Sequence, residues 1–86
     1  MPEISRFFGI VVTINYNDHS PPHFHAQHGD EELIVRIKDL SIVRGKFSPK
    51  DSNLLMEWAA IHQEELLRAW EDAQNHQKPR KIAPLA

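Results

Sequence analysis

Four of the chain's six histidines fall within ten residues, in the run His19-Ser20-Pro21-Pro22-His23-Phe24-His25-Ala26-Gln27-His28. Imidazole changes charge near neutral pH and is the commonest protein ligand for transition metals. In an extended strand, residues i and i+2 project to the same face about 6 to 7 Å apart. His23 and His25 therefore suit two ligands on one ion, or an acid and a base on one substrate. His19 can join them from the preceding loop, with Asp18 as a fourth or supporting carboxylate.

The face they occupy follows from hairpin register. With Gly29-Asp30 as a two-residue turn, glycine at the first central position suits type II′. His28 then pairs with Glu31, Ala26 with Leu33, His25 with Ile34, Phe24 with Val35 and His23 with Arg36. Phe24, Ala26, Leu33, Val35 and Ile37 make one apolar face, and His23 and His25 stand on the other with Arg36 and Lys38. A guanidinium as cross-strand neighbour repels a dication and attracts a phosphate. The register thus favours an anion or nucleic-acid surface. Arg36 and Lys38 would hold phosphate there while His23 or His25 moves a proton, which is chemistry enough for ribonuclease-like cleavage. Two other readings stay open. One is a zinc or nickel site from His19, His23, His25 and Asp18; otherwise no cofactor is expected. The other is a solvated sheet face without chemistry, His28 simply pairing with Glu31.

Stepping outward from the histidines, the alternation of Phe8, Ile10, Val12, Ile14 and Tyr16 with their neighbours predicts a strand over about 7–16. Asn17 to Pro22 is a loop, its two prolines each lacking an amide donor. Strands are expected over about 23–28, 31–38 and 41–46, with Gly45 marking a bulge or an end. Ser48 as N-cap, Pro49 at the first helical position and Asp51 three residues after the cap are helix-start chemistry. With no glycine or internal proline after them, they predict one helix over about 49–75, roughly 40 Å long. The tail, 77–86, reads as extended.

Along that helix Leu55, Trp58, His62, Leu66, Ala69 and Ala73 fall on one stripe that should cover a sheet face, placing His62 as a hydrogen-bonded core histidine. Met56, Leu67 and Trp70 point to the far side, where the tail or a partner chain would cover them. Glu57, Glu64, Glu65 and Glu71 form a solvated face. No glycine-rich phosphate loop, nucleophile elbow or serine triad is present.

A chain of 86 residues with 41% hydrophobic and 26% charged residues is sized for a single domain, 1–86, whose site is shallow or completed by a second chain. Zero cysteines exclude disulfides, thiol catalysis and sulfur-ligated zinc, and suit a reducing compartment. No basic patch precedes an apolar run at Met1-Pro2-Glu3-Ile4-Ser5-Arg6, and no stretch is long enough to span a bilayer, so a cytoplasmic protein with no membrane partner is expected. The formal charge is −2 with neutral histidines, and protonating all six carries it to +4. Nucleic-acid binding at pH 7 therefore needs a local patch rather than bulk charge.

Longer stretches point to a family. Ser5-Arg6-Phe7-Phe8-Gly9-Ile10, Asn17-Asp18-His19-Ser20-Pro21-Pro22-His23-Phe24-His25-Ala26, Glu57-Trp58 with His62, Glu65-Leu66 and Trp70, and Ile82-Ala83-Pro84-Leu85 resemble the small prokaryotic domain of unknown function family numbered 4160. The Asp-His-x-Pro-Pro-His-Phe-His-Ala motif is long and specific, and the resemblance covers nearly the whole chain. It implies a gene beside a second small family, numbered 2442, in pairs that look like toxin–antitoxin modules. That in turn implies a small cognate protein partner and a toxin role. The chain departs from the family pattern at His28, where an aromatic is usual, and at Ala69, where asparagine often precedes the tryptophan. His28 is thereby demoted as a functional group.

Together these readings predict an α+β fold: a small, mainly antiparallel four-stranded sheet with one long C-terminal helix on one face. The expected function is the effector half of a two-gene module, meeting RNA through His23, His25, Arg36 and Lys38. Met56, Leu67 and Trp70 are left for the partner. A metal-binding protein or a bare interaction domain are the alternatives, and self-association stays open.

Overall fold

The computed structural model describes residues 2–86, in which five strands precede two helices. These are β1 (Glu3–Phe7), β2 (Ile10–Thr13), β3 (His23–His28), β4 (Glu31–Arg36), β5 (Ile42–Gly45), α1 (Pro49–Ile61) and α2 (Gln63–Gln74). The strands form one antiparallel sheet in chain order, so the fold is α+β as expected. Strand and helix numbers are not.

The strand expected over 7–16 is the second half of a hairpin. Phe8 and Gly9 both take positive φ, 50° and 81°, which reverses the chain between Phe7 and Ile10. Both positions positive is the type I′ pattern, matched to the twist of an antiparallel pair. Alternation alone missed it because the apolar residues continue through the turn. The parity breaks there, with Phe7 buried and Phe8 58% exposed. Residues 3–6, outside the expected strands, complete β1.

The β3–β4 hairpin pairs His23 with Arg36, His25 with Ile34 and His28 with Glu31. Gly29 has φ +60° and Asp30 does not take a positive φ, as a type II′ turn requires. β4 stops at Arg36 because the chain turns at Asp39-Leu40: the Arg36 amide donates to the Ser41 carbonyl, and Leu40 has φ +55°. At Gly45, φ +94°, a Cβ would lie 2.0 Å from the Glu32 carbonyl oxygen, so only glycine lets β5 lie this close to β4.

The single long helix is corrected to two. Ser48 caps α1 through its Oγ, which accepts from the Asp51 amide at 3.2 Å, with Pro49 at the first position. The helix breaks at His62, φ −114° and ψ 24°, without glycine or proline. A straight helix over 49–75 would be about 40 Å long, and the molecule with its broken helix is 34 Å in its longest extent. The break lets Leu55, Trp58 and Ala59 of α1 and Leu66, Ala69, Trp70 and Ala73 of α2 all reach the core, which the sheet lines with Ile10, Val12, Ile14, Phe24, Ala26, Leu33 and Val35. At the far end of α2, His76 at φ +59° closes a Schellman motif, its amide donating to Ala73 and that of Gln77 to Asp72.

The tail docks. The Ile82 amide donates to the Ile4 carbonyl at 2.8 Å, and the Ala83 carbonyl accepts from Trp58 Nε1 at 2.8 Å. Arg80 holds both oxygens of Asp72. Among the described residues no helix is long and apolar enough to cross a membrane.

A candidate metal centre at the start of β3

Three ligand-type side chains converge where the loop after β2 returns into β3. Asp18 Oδ2 lies 2.9 Å from His23 Nε2 and 3.4 Å from His25 Nε2. The two imidazoles share a face because they are two apart in one strand, and their ring centroids are 5.3 Å apart. The loop brings Asp18 over that face. Its Oδ1 accepts from the His19 amide at 3.0 Å, and the Gln74 side chain of α2 donates to its backbone carbonyl at 3.1 Å. Trp70 lies against His23, centroids 5.1 Å apart, so α2 walls the cluster on one side. The Ser20–Pro21 peptide in this loop is cis.

A hydrogen bond fixes where the His23 ring proton sits. His23 Nδ1 is 2.9 Å from the Pro21 carbonyl, which can only accept, so Nδ1 carries the proton. The Nε2 of a neutral His23 ring then presents a lone pair to Asp18. Asn15 Nδ2 is 3.3 Å from His25 Nε2 and 3.5 Å from Asp18 Oδ2, so this amide spans the two. His25 Nδ1 is buried without a hydrogen-bond partner; the nearest acceptor, Glu32 Oε2, is 3.6 Å away. Both rings are about 15% exposed and Asp18 about 21%. Burial pushes the Asp18 carboxyl up, but the His19 amide, the charge of His23 and the hydrogen bonds of His25 and His23 outweigh it, and the group sits below its ordinary value. Asp18 is therefore ionised at neutral pH, where its Oδ2 lies beside both Nε2 atoms and 3.5 Å from the Asn15 amide nitrogen.

The remaining expected residues lie elsewhere. His19 is exposed and contributes its backbone amide, its ring standing outside the cluster. Arg36 is on the histidine face, but its guanidinium grips Asp39 in a bidentate pair at 3.1 Å for both bonds, holding that carboxyl well below the carboxylate range. Lys38 is exposed at a groove lined also by Pro22, Ile37, Gln63, Glu64 and Leu67. His62 is corrected out of the core: it sits at the helix break, its Nδ1–H donating to Glu65, its ring against Trp58. Trp70 is corrected from far-side partner residue to buried side chain, 5% exposed, because α2 turns it onto His23. Met56 packs partly buried against the core, and Leu67 is 40% exposed.

Sequence reasoning missed Asn15, Glu32 and Gln74. Glu32 was within reach: it is two positions from Ile34, the cross-strand partner of His25, and so is a diagonal neighbour on the same face. Asn15 was hidden by the over-long strand, and Gln74 by the straight helix. A second cluster, His28, Glu31 and Asp51, joins the β3–β4 turn to the first turn of α1, with His28 Nδ1 at 3.2 Å from Asp51 Oδ2.

Among known families, the model described as a domain of unknown function, DUF4160, fits residues 9–71, a span that includes the whole Asp18–His25 segment. No curated protein and no solved structure matches the chain.

Proposed function

The chain belongs to the DUF4160 family, and from that premise and the site geometry we propose that it binds a divalent transition metal, of the zinc or nickel class, through Asp18, His23 and His25. One observation carries the reading: an ionised Asp18 carboxylate and the rings of His23 and His25, all part-buried, bring their ligand atoms within 4.8 Å of one another. The Asn15 amide lies between His25 and Asp18, so the 2.9 Å contact of His23 with Asp18 is the one that a proton or a metal ion joins.

The donor set and spacing suit a metal. Two imidazole nitrogens with one carboxylate oxygen favour borderline ions over calcium or magnesium. Donors bound at about 2.0 to 2.1 Å stand about 2.9 Å apart at right angles and about 3.4 Å apart at tetrahedral angles, and the Asp18 separations of 2.9 and 3.4 Å fall on those values. The other nitrogen of each ring is placed as metal-binding histidines require, at the Pro21 carbonyl for His23 and near the Glu32 carboxylate for His25. The nucleic-acid reading of this face has less support, because the cation it needs beside the imidazoles, Arg36, is already neutralised by Asp39.

Titration calorimetry with Zn²⁺ or Ni²⁺ at about pH 7.5 tests the proposal. One ion per chain is expected, with affinity lowered about tenfold or more in Asp18→Asn, His23→Ala and His25→Ala, and unchanged in His19→Ala. Absence of heat, or uptake indifferent to the first three substitutions, removes the reading.

A further inference from the structure

The two edges of the sheet are finished differently. Along β1 the tail closes the edge, Ile82 donating to Ile4. Along β5 no strand or tail lies outside it among the described residues, and all four of its residues are exposed. Ile42 and Val43, side by side, are 52% and 57% exposed, and the register slips between Ile34 and Val35 so that Val43 is the extra residue of a bulge. An uncovered edge with branched apolar side chains is a template for another strand.

Charge says which strand. From residue 40 to residue 50 the chain carries Arg44, Lys46 and Lys50 and no Asp or Glu, although its net charge is −2. A second copy pairing edge to edge about a two-fold axis would set Arg44 and Lys46 near their own equivalents, and like charges across a pair are unfavourable. The same cations favour an acidic strand, so one edge both rejects self-pairing and selects a partner. We propose that β5 docks, by strand addition, an extended segment of a partner protein in which Asp or Glu alternates with Val, Ile or Leu. Main-chain hydrogen bonds would supply the pairing, and Arg44 and Lys46 the choice of partner.

The test uses the full chain, ¹⁵N-labelled, titrated with a blocked six-residue peptide of alternating glutamate and valine, and separately with its lysine–valine counterpart. The acidic peptide should give saturable amide shifts confined to residues about 41–46. In Arg44→Glu/Lys46→Glu its affinity should fall at least about fivefold while the lysine peptide gains. Arg44→Gln/Lys46→Gln serves if charge reversal disturbs the fold, read from unchanged β1–β3 amides, and should weaken the acidic peptide without favouring the basic one. No saturable shift at β5, equal binding of both peptides, or sedimentation of the chain alone as a dimer that Val43→Arg dissociates would each overturn the proposal.

Discussion

A neutral histidine has one ring proton to place, and at His23 the Pro21 carbonyl claims it for Nδ1. That leaves Nε2 as the ring nitrogen that meets Asp18, at 2.9 Å. At the neighbouring ring, Glu32 Oε2 stands 3.6 Å from the unpartnered Nδ1 of His25, close enough to take its proton once a metal draws Nε2 into place. Glu32→Gln is therefore expected to weaken metal binding by about tenfold, measured by calorimetry, while leaving the urea midpoint of the metal-free protein unchanged. Asp18 gives a second prediction. Its carboxyl is held below the ordinary value, so its contribution to stability is complete above the unfolded value near about 3.9 and fades as pH falls through the lower folded value. As pH falls below about 3.9 and through the folded value of Asp18, the stability margin of the metal-free wild type over Asp18→Asn should shrink. A margin that widens toward acid would contradict the ionisation state assigned here. At this scale the sequence was informative about His23, His25 and Asp18, because strand parity and proximity in the chain are local. It was not informative about the pairing of Arg36, which depends on a turn placing Asp39 three residues on.

Elements were legible where a local signal ended them and illegible where only the whole sheet did. Gly29-Asp30 and Ser48-Pro49 mark their turn and cap chemically, whereas the reversal at Phe8-Gly9 puts a phenylalanine in the left-handed region, where its type gives no warning. The break at His62 has no sequence mark at all. Its effect is to let Leu55, Trp58 and Ala59 of α1 and Leu66, Ala69, Trp70 and Ala73 of α2 all be buried. The tail is an element in its own right, since Ile82 is 4% exposed and Trp58 Nε1 has the Ala83 carbonyl as its acceptor. Deleting residues 78–86 strips that isoleucine from the core and leaves a buried indole N–H unpaired, and should cost at least about 2 kcal/mol by urea unfolding. A change under about 0.5 kcal/mol, the range of surface substitutions, would show that the tail is not part of the core.

Across the whole molecule, the proposed metal centre joins parts that lie far apart in the chain: Asp18 from the loop, His23 and His25 from β3, with Trp70 and Gln74 of α2 packed or bonded against them. An ion held there stabilises only the folded chain, because unfolding scatters the ligands. Zinc at about a hundredfold above its dissociation constant should add about 2.7 kcal/mol, which for a domain of this size raises the melting temperature by more than about 10 °C. A chelator should reverse the shift, and Asp18→Asn should show little of it. The most direct measurement reads the atoms themselves, through the ¹⁵N shifts of the His23 and His25 rings with and without zinc. The expected spectrum shows the proton at Nδ1 of both rings and moves both Nε2 resonances from their metal-free positions to those of a metal-bound nitrogen. Nε2 of His23 remaining protonated in excess zinc would mean that a proton, and not a metal, joins it to Asp18.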